Sequence, residues 1–151
     1  MKQNKIAMIY DFDGTLTPKT MQEYTLLPKL GLNPKSFWDS INEESKRTGG
    51  ETMMVFMRHL LDQAKEKNIK ISKNEFFKMG KDIKYYQGVS EWFNHINKYV
   101  KNLSGNDIQI YHYIISAGHM EILDGVSIKK YIKKIFASEY FYNQSKHAVF
   151  P

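Results

Sequence analysis

The sequence has no cysteine among its 151 residues. This absence excludes disulfide bonds, thiolate metal sites and a cysteine nucleophile, and it fits an intracellular protein. No stretch approaches the ~20 consecutive apolar residues that cross a bilayer. Residues 1–9 also lack the long apolar segment and cleavage site of a secretory signal. We therefore expect a soluble, cytoplasmic protein that has no membrane partner.

The composition is that of an ordinary globular protein. Apolar residues make up 42% of the chain and charged residues 25%, with a formal net charge of +6. The densest basic group is Lys129, Lys130, Lys133 and Lys134. These lysines are either a nucleic-acid patch or the solvated face of a helix over residues 126–135. The helix is the favoured interpretation, so we expect no nucleic-acid partner, although the positive field would attract anionic phosphates.

Two apolar runs predict strands of a parallel sheet. The first is Lys5–Tyr10, which we expect to be buried, and Asp11 lies at its carboxyl end. The second is Ile108–Ile115, rich in β-branched and aromatic residues and followed by Ser116. Ligands of such sheets bind outside the carboxyl ends of the strands. The pattern therefore predicts an α/β fold with a Rossmann-like parallel sheet and a site near Asp11 and Ser116.

The segment between these strands is too long for a simple crossover. A βαβ unit takes about 30 residues, so roughly 70 residues are surplus. Helical patterns fill this surplus, with expected helices at 21–30, from Asn33-Pro34 to Gly49, at 53–64 and after Ser72, and a further helix at 91–103 leads into the second strand. We therefore predict an α/β core of residues 1–16 plus 87–151 and a helical insertion at 17–86. Beyond Gly118 we expect a short helix at 119–123, the helix at 126–135 and a strand at 136–142.

The string Asp11-Phe12-Asp13-Gly14-Thr15 carries the chemistry. Carboxylates two residues apart point to opposite strand faces, so they converge only if the chain turns, which Gly14 permits. Asp11 is placed to attack phosphorus and form an aspartyl-phosphate, while Asp13 protonates the leaving group and then activates water. Thr15 can bind backbone or phosphate oxygens. A divalent cation, Mg²⁺, would offset the repulsion between two carboxylates and a phosphate. The alternative is a solvated turn, but an apolar strand followed by DFDGTLT favours the site.

These residues resemble a known family. The string from Asp11 to Thr17 is similar to the first motif of the haloacid dehalogenase (HAD) superfamily of hydrolases, and Ile114–Gly118 is similar to its second. The resemblance implies that Asp11 is the nucleophile and a magnesium ligand, and that Asp13 is the acid/base and binds the metal through its carbonyl. It places phosphate binding on Gly14, Thr15, Ser116, Ala117 and Gly118. The insertion would be the cap, as in the phosphoserine-phosphatase-like branch.

Two later motifs of the family have no clear match. The third, a phosphate-neutralising lysine, could be Lys146, although Lys146 follows a turn sequence and an exposed hairpin lysine is the favoured interpretation. The fourth is an acidic pair, and after Ser116 the isolated Asp124 and Glu139 do not form one. We therefore expect these residues to be part of a longer enzyme, with poor magnesium affinity and activity in this form.

Further substrate contacts are suggested by position alone. Glu23 and Arg58 lie in the predicted cap, where the related branch places an acid and an arginine, and His119 follows the second motif. Exposed helix positions are the alternative for each of them. The expected function is a magnesium-dependent phosphomonoester hydrolase of a small phosphorylated metabolite. The alternative is a catalytically incompetent phosphate- or protein-binding module. The substrate and the oligomeric state are left open.

Overall fold

The computed structural model describes residues 4–151. Three parallel strands form the main sheet: β1 Lys5–Tyr10, β2 Gln109–His119 and β3 Ile132–Ser138. Seven α-helices accompany it in the described residues: α1 Met21–Tyr24, α2 Leu26–Lys29, α3 Pro34–Thr48, α4 Thr52–Glu66, α5 Lys73–Met79, α6 Val89–Ser104 and α7 Met120–Asp124. Short 3₁₀ helices cover Gly80–Asp82 and Ser127–Tyr131, and a hairpin pairs β4 Phe141–Tyr142 with β5 Ala148–Phe150. None of these helices is long and apolar enough to cross a membrane.

The sheet confirms the predicted α/β class. Strand β2 lies in the centre and pairs in parallel with β1 on one side and β3 on the other. Tyr10 is in register with Ile114, and Ile115 with Phe136. The carboxyl ends of all three strands therefore meet at one edge of the sheet.

The prediction that β1 is a buried strand is wrong. Four of its six residues are exposed, and Ile9 keeps 61% of its surface accessible. The reason is position, since within residues 4–151 β1 pairs with β2 alone and lies at the border of the sheet. An apolar run identifies a strand, but it does not report how many neighbours the strand has.

The predicted helices between β1 and β2 are present, and their ends follow local chemistry. Asn33 caps α3 by accepting a hydrogen bond from the Ser36 N–H, and Gly49 ends that helix at φ +69°. Ser72 opens α5 with a capping box. The single helix predicted at 21–30 is instead two short ones that break at Thr25. Pro28 explains the break, because it has no N–H to donate to the carbonyl four residues earlier.

The helix predicted at 126–135 and the strand predicted at 136–142 are wrong in their bounds. A 3₁₀ helix ends at Tyr131, and β3 then begins at Ile132. Ile132 and Ile135 are buried and extend the sheet beside β2. Sheet pairing and burial of these isoleucines outweigh the helical periodicity. Lys133 and Lys134 therefore lie on a strand, not on a solvated helix face.

The apolar core is continuous across the described residues. It joins Phe12 after β1, Leu60 of α4, Phe76 of α5 and Ile114 of β2 in one cluster. The position of the helices is as predicted, while the division into a core and a cap stays a prediction.

Candidate active site

The loop after β1 is a tight turn that Phe12 stabilises. Its side chain is fully buried, and its carbonyl accepts N–H hydrogen bonds from Thr15, Leu16 and Thr17 at 2.9 to 3.3 Å. Gly14 has φ +80°, a backbone conformation that side chains rarely adopt. The buried Phe12 thus holds the two flanking aspartates at the end of the strand.

Asp11 is the accessible carboxylate of the pair. It is exposed at the carboxyl end of β1, and Thr15 Oγ1 donates a hydrogen bond to its Oδ2 at 3.3 Å. No helix or side chain has to move for an anionic ligand to reach this exposed group. An exposed carboxylate is suited to nucleophilic attack.

Asp13 has the opposite environment. Its Oδ1 accepts a hydrogen bond from the Met21 N–H at 2.8 Å, at the start of α1. The pKa of Asp13 is raised to about 7, mainly by burial; the Met21 hydrogen bond lowers it, and the negative charges of Asp11 and Glu23 add to the rise. A half-buried carboxyl group with a raised pKa, next to an exposed carboxylate, is suited to an acid/base role.

Ser116 lies at the same edge of the sheet. Tyr10 pairs with Ile114, so Asp11 lies one residue beyond this pair and Ser116 lies two residues beyond it, in the last part of β2. The Gly118 N–H donates to Ser116 Oγ at 3.0 Å, so the hydroxyl proton remains available to a ligand. A Cβ atom at Gly118 would overlap the Met21 side chain, so the irregular end of β2 packs directly against α1.

The three substrate contacts suggested by position have different surroundings. The negative charge of Glu23 raises the pKa of Asp13, so the two carboxyl groups lie in the same region. Glu23 Oε1 also accepts a hydrogen bond from Thr20 Oγ1 at 3.2 Å. Arg58 is held on α4, where its guanidinium contacts Glu44 at 2.5 Å and Asp62 at 2.8 Å. The structure therefore brings Glu23 towards the aspartates, while the guanidinium of Arg58 is engaged elsewhere.

His119 is not a surface residue. It is fully buried, and its ring packs against three aromatic rings, Phe56, Phe76 and Tyr140, at centroid distances of 5.1 to 5.6 Å. Neither ring nitrogen has a hydrogen-bond partner among the described residues. Burial lowers the pKa of His119 to about 3, so the ring is neutral at physiological pH. This environment makes His119 part of the packing between α4, α5 and the end of β2.

Two residues of this region had no signal in the sequence. Met21 donates to Asp13, and its Sδ accepts the His119 N–H at 3.1 Å. Ser138 lies at the carboxyl end of β3 and donates to the Ala117 carbonyl at 3.3 Å. Met21 contacts Asp13 through its backbone N–H, which every residue type except proline provides. Ser138 becomes identifiable only when β3 is placed correctly, at 132–138.

Few side-chain oxygens near the loop after β1 could bind a metal ion. Within residues 4–151 no cluster of three or more His, Cys, Asp or Glu side chains is arranged to hold an ion. The oxygens that could bind one belong to Asp11 and Asp13. Magnesium commonly uses one or two carboxylates and completes its shell with water and substrate phosphate, so this pair fits a weak Mg²⁺ site.

A curated relative matches most of this chain. An uncharacterised protein of Borreliella burgdorferi is 29% identical over 146 residues, covering 92% of this chain and 51% of the relative. The chain thus spans about half the length of that curated relative. No family model matches the sequence.

Solved structures align over almost the whole chain. A HAD family hydrolase from Salmonella enterica serovar Typhi has a TM-score of 0.61 at 13% identity, covering 96% of this chain and 44% of its own. A phospho-aspartyl intermediate analogue of phosphoserine phosphatase has a TM-score of 0.61 at 16% identity, with coverages of 97% and 61%. A phosphoserine phosphohydrolase-like protein from Francisella tularensis has 0.59 at 20% identity, with coverages of 97% and 63%. The chain has the α/β fold of these hydrolases.

Proposed function

We propose that the chain carries the nucleophilic half of a magnesium-dependent phosphomonoester hydrolase. The observation that supports this most strongly is the placement of an exposed Asp11 beside Ser116 at one sheet edge, with Asp13 half-buried behind them. Similarity to the haloacid dehalogenase fold supports the same assignment, and one of the structural neighbours is an analogue of a phospho-aspartyl intermediate.

The proposed reaction has two steps. An Asp11 carboxylate oxygen attacks phosphorus, the bond to the ester oxygen breaks, and the Asp13 carboxyl gives its proton to the leaving alkoxide. Asp13, now ionised, takes a proton from water, and the hydroxide attacks phosphorus to release phosphate and regenerate Asp11. The partly buried Asp13 and its hydrogen bond to Met21 support the acid/base role.

The remaining loop residues would bind the phosphate. Ser116 can donate its hydroxyl proton because its oxygen already accepts from Gly118. Thr15 lies next to the Asp11 carboxylate and supplies a second hydroxyl. Backbone N–H groups of Gly14, Ala117 and Gly118 are the further donors proposed for the phosphate oxygens.

Magnesium is the proposed cofactor, held by Asp11 and Asp13. When bound, it would neutralise phosphate charge and so permit an anion to approach two carboxylates. The proposed substrate is a small phosphorylated metabolite, and Glu23 of α1, whose charge acts on Asp13, is the contact proposed from that helix. The helices of residues 17–86 would then act as the cap over that substrate.

A phosphate-binding module is the second candidate. The absence of a three-residue metal cluster among the described residues favours it. The Asp11→Asn variant separates the two functions. An enzyme loses turnover in this variant, whereas a pure binder retains its affinity for inorganic phosphate.

The direct test is hydrolysis of p-nitrophenyl phosphate with and without Mg²⁺. We expect slow turnover that EDTA abolishes, that added Mg²⁺ restores and that Asp11→Asn removes. Turnover that resists EDTA, or that Asp11→Asn leaves unchanged, would contradict the proposal. A rate equal to that of a longer version of the chain would instead refute the expectation of poor activity in these 151 residues.

A further inference from the structure

A cavity of about 290 Å³ lies between α5, α7 and the hairpin that follows β3. This volume is at the small end of ligand pockets, so it suits a molecule of amino-acid size. Six residues line the cavity, and none of them belongs to the loop after β1: Lys73, Asn74, Phe77, Glu121, Asp124 and Lys146. We call it the α5–α7 cavity.

Glu121 is the buried polar residue in the wall of this cavity. It lies on α7, and only 2% of its surface is accessible. Its Oε1 accepts a hydrogen bond from the Tyr142 hydroxyl at 2.6 Å, which fixes the carboxyl group from the side of the hairpin. Its Oε2 is also buried and has no hydrogen-bond partner among the described residues. A buried oxygen without a donor is costly, and a ligand that supplies a donor would remove that cost.

Two exposed lysines contribute the opposite charge. The Lys73 N–H donates to the Lys146 carbonyl at 3.2 Å, so the two residues lie side by side. Both are exposed, and none of the salt bridges found in residues 4–151 includes them. Lys73 Nζ lies 5.6 Å from the centre of the Tyr142 ring, whose hydroxyl bonds to Glu121. Tyr142 therefore contacts both the positive and the acidic part of the cavity wall.

The other lining residues leave an apolar wall. Phe77 is 45% exposed and lies on α5. A Cβ atom at Gly125 would overlap the Phe77 carbonyl oxygen, so α5 and the end of α7 are in direct contact there. Asp124 is paired with Lys129. Within residues 4–151, Glu121 and the two lysines are therefore the lining ionisable groups that form no salt bridge.

We propose that the α5–α7 cavity binds an apolar α-amino acid. The ammonium group of the ligand donates to Glu121, its carboxylate lies against Lys73 and Lys146, and its side chain packs on Phe77. An α-amino acid is the class of small molecule that carries a cationic, an anionic and an apolar group within this size, and each group has its complement in the wall. The proposal does not depend on the chemistry of Asp11.

Two other ligands fit the cavity less well. An inorganic anion such as phosphate would suit the two lysines, but it would also face the carboxyl groups of Glu121 and Asp124. A divalent cation would suit Glu121, but the lysines would oppose it. No cluster of three or more His, Cys, Asp or Glu side chains within residues 4–151 is arranged to hold such an ion.

The test compares L-leucine with two molecules that each lack one of its charged groups. Isopentylamine has no carboxylate and 4-methylpentanoate has no ammonium group, while both keep the apolar chain. Binding to the unmodified protein is measured by isothermal titration and by amide NMR titration. We expect saturable one-to-one binding of L-leucine with a Kd below about 1 mM, and binding at least about tenfold weaker for each of the other two.

Two variants assign the charged groups of the ligand to their partners. Glu121→Gln keeps an oxygen that accepts from Tyr142, so it should weaken L-leucine at least about tenfold without weakening 4-methylpentanoate. Lys146→Met should weaken L-leucine and 4-methylpentanoate without weakening isopentylamine. The matched controls are Glu91→Gln and Lys98→Met, which are exposed on α6 and do not line the cavity. Both controls should bind L-leucine like the unmodified protein.

Amide NMR of the unmodified protein locates the ligand independently of how the variants fold. L-leucine should shift the amide signals of residues 73–77 and of Lys146, and it should leave residues 11–17 unchanged. Absence of saturable L-leucine binding, equally tight binding of isopentylamine or 4-methylpentanoate, or shifts confined to residues 11–17 would each overturn the proposal. Equal weakening of L-leucine by the control variants would also overturn it. If Glu121→Gln does not fold, Lys146→Met and the two single-charge molecules decide the outcome.

Discussion

Asp13 Oδ1 accepts a hydrogen bond from the Met21 N–H over 2.8 Å, which ties the loop after β1 to the first turn of α1. The same methionine accepts the His119 N–H through its sulfur and fills the space beside Gly118. Met21 therefore joins the loop after β1 to the end of β2, and the position of the proposed acid depends on how α1 packs.

Replacing Asp13 with Asn tests the acid/base role. The amide oxygen can still accept from Met21, so the loop should keep its structure, but the group can no longer transfer a proton. We expect kcat for an alkyl phosphate to fall by about 10² to 10⁴. The loss should be smaller for p-nitrophenyl phosphate, whose leaving group needs less protonation.

The matched control for that experiment is Asp107→Asn. Asp107 is exposed and precedes β2, at the opposite end of the sheet from Asp13. It should leave the kinetics of both substrates unchanged. Equal losses for the two substrates in Asp13→Asn would contradict a proton-transfer role.

Ser116→Ala tests the phosphate contact. The variant removes one hydroxyl donor, and a hydrogen bond to a charged group contributes about 1.5 to 3 kcal/mol. We expect inorganic phosphate to bind at least about tenfold more weakly, as measured by titration calorimetry. Ser127→Ala, whose hydroxyl bonds to Tyr85 in the 3₁₀ helix before β3, should bind phosphate normally. Unchanged phosphate affinity in Ser116→Ala would remove Ser116 from the site.

Gly118→Ala tests the packing of Met21 against the end of β2. The added methyl group overlaps the Met21 side chain, and such overpacking costs about 1 to 3 kcal/mol. In a Met21→Ala background the overlap is absent, so the same change should cost clearly less. Denaturant unfolding of the four proteins in this cycle measures the coupling energy. Additive effects would show that the two residues do not press on each other.

His119 predicts a pH dependence of stability. Its pKa is lowered to about 3 in the folded protein, so the unfolded chain binds more protons below its ordinary pKa of 6.5. The free energy of unfolding should therefore fall as pH drops from 6.5 towards 3. Between pH 7 and pH 5 the contribution is about 2 kcal/mol.

His119→Phe should remove that part of the acid sensitivity, because phenylalanine fits the aromatic surroundings and does not titrate. The exposed His95→Phe on α6 serves as the control and should retain the original dependence. Denaturant titrations at pH 5 and pH 7 provide the comparison. An identical pH dependence in His119→Phe and the unmodified protein would refute the buried, neutral assignment.

The local patterns of the sequence predicted a large part of the fold. Asn33-Pro34 and Ser72 identified helix starts because a cap is satisfied within a few residues. The apolar run before Asp11 identified β1, because a short apolar run next to a turn is itself a local pattern. The prediction at 126–135 was wrong because periodicity alone did not show that β2 would offer Ile132 and Ile135 a strand partner.

The candidate site was predictable only where its chemistry lies in the side chains. Asp11, Asp13 and Ser116 stand in recognisable strings, and the structure places them at one edge of the sheet. Met21 acts through a backbone N–H, and the burial of His119 depends on rings from α4, α5 and the segment after β3. Contacts between distant segments of this kind leave no trace in a local pattern.

In the proposed reaction Asp11 becomes phosphorylated. The most direct measurement is intact-protein and peptide mass spectrometry after rapid acid quenching of the protein with p-nitrophenyl phosphate and Mg²⁺. We expect a phosphoryl adduct on the peptide that contains Asp11. The adduct should be absent in Asp11→Asn and should accumulate in Asp13→Asn, where its hydrolysis is slowed. Phosphate release with no adduct in the unmodified protein or in Asp13→Asn would contradict phosphorylation of Asp11. An adduct that persists in Asp11→Asn would also contradict it.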